Sequence, residues 1–211
     1  MKNAFQILTK KEQIMMSKTL ATAFFKHDNF VYLIEREEKR IQSSCYLFRF
    51  MTKVINKYGY IYVVYQDKSP VGYITFMDDS KAKLGFKTVI GSGATFQVIK
   101  FWLSLSFKER SKYKKYMKAY NELNHNFDQC IHLYYTGILP DYKGKGIMKK
   151  AMSDALDYFK DLHYQGVILE TSDQDNIGLY KHLGYRVTQR VKSIDERQEI
   201  YLFHKDFKGT L

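Results

Sequence analysis

The run Lys143-Gly144-Lys145-Gly146-Ile147-Met148 sets two glycines among lysines where a β-branched, aromatic segment gives way to a helical stripe. A loop between a strand and a helix start presents unpaired backbone N–H groups at the positive helix end, which suits an anion. Gly144 and Gly146 let a bulky pyrophosphate approach that backbone, and Lys143, Lys145, Lys149 and Lys150 add positive field as flexible point charges. Each N–H given to a charged oxygen would contribute about 1.5–3 kcal/mol. The plainer alternative is a tight turn with surface lysines. A Walker loop or a Gly-x-Gly-x-x-Gly dinucleotide loop is not present, and in Gly91-Ser92-Gly93 the third glycine position is taken by Phe96. Two titratable groups stand on strand-like segments. Glu170 follows Val167-Ile168-Leu169, at the kind of strand end where open α/β sheets bind ligands, and His132 alternates with Tyr134 toward one sheet face. Both have a bland alternative: a carboxylate satisfied by backbone or lysine, and a hydrogen-bonded core histidine.

The elements that must position these residues follow from periodicity. Phe5 to Leu8 reads as a short strand, and Thr9 with Glu12 three residues on is a capping box opening a helix. A second helix is expected from about Glu35 to Lys57, then an antiparallel hairpin of Tyr60–Tyr65 and Val71–Phe76. From Asp78 to Asp128 the pattern turns helical, with Phe96, Trp102 and Phe107 expected to face inward as a cover over a pocket. Ile131 to Ile138 is the next strand, stopped by Pro140, and the helix after the glycine loop carries Ile147, Met148, Ala151, Met152, Ala155, Leu156, Phe159 and Leu162 as an inward stripe. A strand at 166–171, a helix from Asn176 to Leu183 closed by Gly184, and strands at 185–191 and 199–203 complete the chain.

At 211 residues, 45% apolar and 16% aromatic, the chain has material for one core, and a single domain over 1–211 is expected, with the helical insert at about 78–128. The formal charge of +12 narrows partners to anions without choosing among them. Cys45 and Cys130 show neither metal-ligand spacing nor a disulfide framework; no metal is expected, and a reducing, cytoplasmic setting is. No stretch has the length and apolarity of a signal peptide or membrane span, so a membrane role is not expected.

With the loop, strand and helix in this order, the chain resembles the GNAT superfamily of acyl-CoA-dependent N-acyltransferases, whose pyrophosphate loop is Gln/Arg-x-x-Gly-x-Gly/Ala. The match falls on Lys143-Gly144-Lys145-Gly146-Ile147-Met148, with Lys143 for the usual Gln or Arg and Met148 for the final small residue. Leu169-Glu170-Thr171, Asn176, Tyr180, Gly184 and Tyr185 follow the second half of the family pattern, and His132-Leu133-Tyr134-Tyr135 is similar to the puromycin acetyltransferase-like subgroup. The resemblance implies an α/β (α+β) fold with a mixed, mostly antiparallel twisted sheet of six to seven strands flanked by helices, the insert falling between the third and fourth strands. It implies acetyl-CoA as acyl donor, held by the loop, by Asn176 and by the backbone of Tyr135, Thr136, Gly137 and Ile138 in a splayed strand, with Gly137 allowing a local bulge. It implies direct attack by a primary amine, with Tyr180 as proton donor to the leaving thiolate.

An amine attacks only when neutral, and a lysine-like amine has a pKa of roughly 10.4, so a base is needed. Glu170 is the first candidate and His132 the second. The acceptor is expected to be a small molecule or peptide amine, and the protein a monomer or homodimer. Two other readings stay open. One is an acyl-CoA-binding sensor without strong chemistry. The other is an RNA-associated protein using Lys108 to Lys118 with Tyr113, Tyr116 and Tyr120, set against a plain exposed helix face, with nucleic acid the less expected partner.

Overall fold

The computed structural model describes residues 5–192 and 199–207. Three helices come first: α1 (Lys10–Ala23), α2 (Asp28–Leu33) and α3 (Glu37–Tyr58). The capping box forms as the sequence suggests, with Glu12 accepting the Thr9 N–H at 2.8 Å and Thr9 Oγ1 accepting the Glu12 N–H at 3.4 Å. The hairpin β1 (Gly59–Gln66) and β2 (Ser69–Met77) follows, then the insert with α4 (Phe86–Gly91), α5 (Thr95–Ser104) and α6 (Phe107–Tyr120). β3 (Cys130–Ile138), a 3-10 turn at Pro140–Tyr142, α7 (Ile147–Asp161), β4 (Gly166–Thr171), α8 (Gln174–His182), β5 (Arg186–Lys192) and β6 (Glu199–Asp206) complete the order.

The six strands form one sheet in the order β1-β2-β3-β4-β6-β5, parallel only between β3 and β4. The strand expected at Phe5–Leu8 does not form. Phe5 makes a single bridge to Tyr62, while the Leu8 N–H turns to the Asn56 side chain, because Phe5 is held by its ring against Tyr62, Tyr158 and Phe159. The insert therefore lies between the second and third strands of the sheet.

Alternation along β2 divides the core. Tyr73 and Met77 face α1 and α3, whereas Ile74 and Phe76 face the α7 stripe of Ala151, Met152, Ala155, Leu156 and Phe159. On the α1/α3 side, the end of α6 covers the other half of the sheet through Ala119 and Leu123 on Ile168, Ile200 and Leu202.

A second departure concerns the inward face of the insert. Phe96 and Phe107 are 60% and 89% exposed, while Phe101 and Leu105 are buried and Trp102 half-buried. The register of α5 is set by α3, which takes Phe101 into the first core; α6 turns Tyr113, Tyr116 and Tyr120 inward and Lys108, Lys114, Lys115 and Lys118 outward. Glu109, buried at the start of α6, caps that helix by accepting the Ser106 N–H and pairs with Arg36 at 2.7 Å. Arg36 also donates to the Ser104 carbonyl, so one guanidinium pins the insert to the body.

Candidate active site

β3 and β4 are paired only from Cys130/Gly166 to Leu133/Leu169, and beyond that point they part. The separation starts where β3 carries a bulge against β2: Thr75 pairs with Tyr135 and Phe76 with Leu133, leaving Tyr134 as the extra residue. The bulge is thus at Tyr134. Gly137, expected to be its source, pairs in register with Tyr73 and serves another need, since a Cβ there would stand 2.8 Å from Leu20 of α1. Thr75 Oγ1 accepts the Tyr135 N–H at 3.0 Å, and Leu139 N–H bonds to Val71 on the same side. By alternation, the backbone of Thr136 and Ile138 points the other way, into the gap left by β4.

A cavity of about 590 Å³ fills this gap. Tyr135, Thr136, Gly137 and Ile138 form one wall, Glu170 and Thr171 another, and Tyr113, Tyr116 and Tyr120 of α6 close it above. One end reaches Lys143, Gly144, Met148 and Lys149 at the start of α7; Asn176 and Tyr180 of α8 lie along the way.

At that end Gly144 and Gly146 adopt φ of +76° and +73°. A Cβ on either would meet nothing within 4 Å, so the glycines are required by backbone conformation, and the space beside them stays open. Gly146 is the N-cap of α7 and brings no side chain; the first turn carries no acidic residue. Its leading N–H groups are therefore available to an anion, with lysines around them. Met148 lines the cavity, so the family's small residue is replaced by a side chain that narrows this end.

Tyr180 is buried, its ring 5.5 Å from Tyr185 and 5.6 Å from Phe203. Burial, helped by the charge of Asp173, pushes its hydroxyl up to about 12, so it keeps its proton at neutral pH. Asn176 Nδ2 donates to Asp173 at 3.1 Å, and Asp173 also meets His27 Nε2 at 3.3 Å.

At the opposite end Glu170 and His132 are joined. His132 Nε2 lies 2.9 Å from Glu170 Oε2 and its Nδ1 lies 2.7 Å from Asp79 Oδ2, in a site where His132 is 1% exposed. Tyr134 donates to the second oxygen of Asp79 at 3.1 Å. His125 Nε2 approaches Glu170 Oε1 at 2.5 Å, with its ring stacked on His132. Burial alone would lift the Glu170 pKa, yet attraction to His132, the His132 hydrogen bond and the close approach of His125 hold it below the usual carboxylate range. Burial likewise opposes charge on His132, and the two carboxylates overcome it, raising its pKa. Glu170 lines the cavity and the histidines stand behind it.

Asp79 and His125 were not singled out from the sequence. They lie at the two borders of the insert, where no periodic spacing marks them, and only the crossing of β2, β3 and α6 brings Asp79 to His132 and His125 to Glu170. Asn29 is a further contributor: it donates to Tyr116 Oη at 3.4 Å and accepts from Ser172, tying α2, α6 and the end of β4 together over the cavity. The tyrosines of the Lys108–Lys118 segment face this cavity, so no exposed aromatic platform accompanies its lysines.

Residues 25–185 match the profile of the Acetyltransferase (GNAT) family. Among solved structures, the PaiA N-acetyltransferase of Thermoplasma acidophilum in complex with coenzyme A superposes with a TM-score of 0.60 at 11% identity, covering 96% of this chain and 98% of that one. A structure described as histone acetyltransferase HPA2 and related acetyltransferase, from Corynebacterium glutamicum, gives 0.61 at 15% identity, covering 99% and 98%. No curated protein matches the chain in sequence.

Proposed function

Because the chain belongs to the GNAT acetyltransferase family, we propose that it transfers an acetyl group from acetyl-CoA to a primary amine by direct attack. The observation that carries this reading is one continuous cavity with an anion-binding helix start at one end and a buried carboxylate at the other. The first-turn amides of α7 beside Gly144 and Gly146, with Lys143, Lys145 and Lys149, would hold the pyrophosphate; Ile147 and Met148 begin the helix on which it rests. Thr136 and Ile138 would offer strand-like hydrogen bonds to the pantetheine arm, with Tyr135 and Gly137 keeping that strand in place, and Asn176 would face the arm from α8. The donor supplies an activated acyl carbonyl.

Glu170 receives the amine. A carboxylate held ionised, in a chamber walled by Tyr113, Tyr116 and Tyr120, attracts an ammonium group both by charge and by the faces of the rings. Glu170 takes one proton from the ammonium, with His125, 2.5 Å away and partly open to solvent, as its route out, so the amine is neutral when it attacks; the second proton, released as the adduct collapses to the amide, replaces the one Tyr180 gives to sulfur. His132 has both ring nitrogens engaged and cannot reach substrate; it positions Glu170. As the C–S bond breaks, Tyr180 gives its proton to the departing sulfur. A cysteine-linked route has no support: burial raises the thiol of Cys45 and pushes that of Cys130 up to about 11, and neither lines the cavity.

Titration calorimetry tests the donor half of this reading. Acetyl-CoA should bind with low-micromolar affinity, on the order of −8 kcal/mol. Absence of heat at near-millimolar ligand would contradict it.

A further inference from the structure

On the outer side of the insert, away from the cavity, apolar side chains are presented to solvent in a regular pattern. Phe86 and Ile90 share a face of α4, Phe96, Ile99 and Leu103 share a face of α5, and Phe107 stands exposed at the start of α6. Phe86, Leu103 and Phe107 are 81%, 68% and 89% exposed, and the other three are each about half or more exposed. Isolated apolar side chains on a surface are ordinary, but six on consecutive short helices exceed that pattern and mark an interaction surface. The inner side of these helices is already satisfied, since Val89, Phe101 and Leu105 meet the first core.

The charges around the row say what it meets. From Lys81 to Lys108 the sequence contains five lysines and no Asp or Glu; the outer two, Lys81 and Lys108, pair with Asp78 and Glu35, and Lys83, Lys87 and Lys100 make the rim. Lys83 and Lys87 are exposed beside Phe86, and Lys100 lies 4.5 Å over the Phe96 ring. A second copy of this +12 chain would bring like charges together around the same patch, which opposes pairing. RNA would satisfy the lysines and leave Ile90, Ile99 and Leu103 in water. An anionic bilayer answers both features, with hydrocarbon for the apolar row and lipid phosphates for its lysine rim. We infer that the α4–α5 face docks peripherally on anionic membrane, with no span: no helix among the described residues is long and apolar enough to cross one. The α6 helix that begins at Phe107 also lines the cavity with its tyrosines, so a docked insert places the acceptor chamber close to the lipid surface.

The test is vesicle flotation of the full chain at about 0.1 M salt, with phosphatidylcholine vesicles and with vesicles carrying about 30 mol% phosphatidylglycerol. The protein should float with the anionic vesicles and not with the neutral ones. The Phe96→Ser, Leu103→Ser, Phe107→Ser triple variant should lose roughly tenfold or more of that partitioning with its thermal midpoint unchanged, as all three sites are exposed. Lys83→Gln, Lys87→Gln, Lys100→Gln should weaken binding to the anionic vesicles specifically. No flotation of the parent chain would overturn the inference. So would binding that the apolar triple variant retains, which would reduce the effect to net charge. Concentration-dependent dimerisation in sedimentation velocity that the triple variant abolishes, without lipid binding, would assign the face to a second copy instead.

Discussion

Removing one oxygen from Tyr180 leaves its ring among Tyr185 and Phe203 and takes away only the proton. Tyr180→Phe should therefore lower kcat by about 10²-fold or more while the KM for acetyl-CoA changes little, as measured by thiol release. Equal turnover would remove it as donor. The Glu170 network gives a stability prediction. His132 has a raised folded pKa, so its contribution is fully present below its ordinary value of about 6.5 and is lost as pH rises through the raised one. Glu170 has a depressed folded pKa, so its contribution is present above about 4.3 and fades as pH falls toward the folded value. The thermal midpoint should accordingly fall on the alkaline side of neutrality, and His132→Gln should flatten that fall; parallel profiles would contradict the assignment. At this scale the sequence was partly legible. Glu170 and His132 stood out as titratable groups in apolar strands, but their pairing, and the parts of Asp79 and His125, depend on contacts between residues 38 to 55 positions apart that no local pattern encodes.

The α7 start is the element on which the proposed donor binding rests. Because Gly146 needs a positive φ and has open space beside it, Gly146→Ala is limited by strain and not by a clash, at about 1–2 kcal/mol. It should weaken acetyl-CoA binding more than it lowers kcat, and an unchanged KM would show that the loop does not hold the donor. The α6 helix depends on another contact. Arg36→Ala leaves the buried Glu109 carboxylate without its guanidinium and should lower unfolding free energy by about 2 kcal/mol in urea titration. The start of α1 could be read from its capping box, and the β1–β2 hairpin from two β-branched and aromatic runs around a turn. The facing of the insert could not, because α5 is apolar on both sides and only the packing of α3 decides that Phe101 goes in and Phe96 stays out.

For the molecule as a whole, a ligand that bridges α7, α8 and the splayed strands should stabilise the entire fold. Acetyl-CoA at about 100 times its Kd should add about 2.7 kcal/mol and raise Tm by roughly 5–10 °C in a chain of this size. The mixed, mostly antiparallel sheet and the succession of β3, glycine loop, α7 and β4 were accessible from the alternation of strand and helix patterns and from the family likeness. The cavity was not, since it is made by the Tyr134 bulge and by three tyrosines sent from a distant helix. The central claim, transfer of an acetyl group to an amine, is tested most directly by incubating the protein with acetyl-CoA and a panel of small-molecule and peptide amines and weighing the products by mass spectrometry. At least one amine should gain an acetyl group in step with thiol release, and Glu170→Gln should suppress both. Tight acetyl-CoA binding with no acetylated product from any amine would contradict catalysis and leave a sensor of the acyl donor in its place.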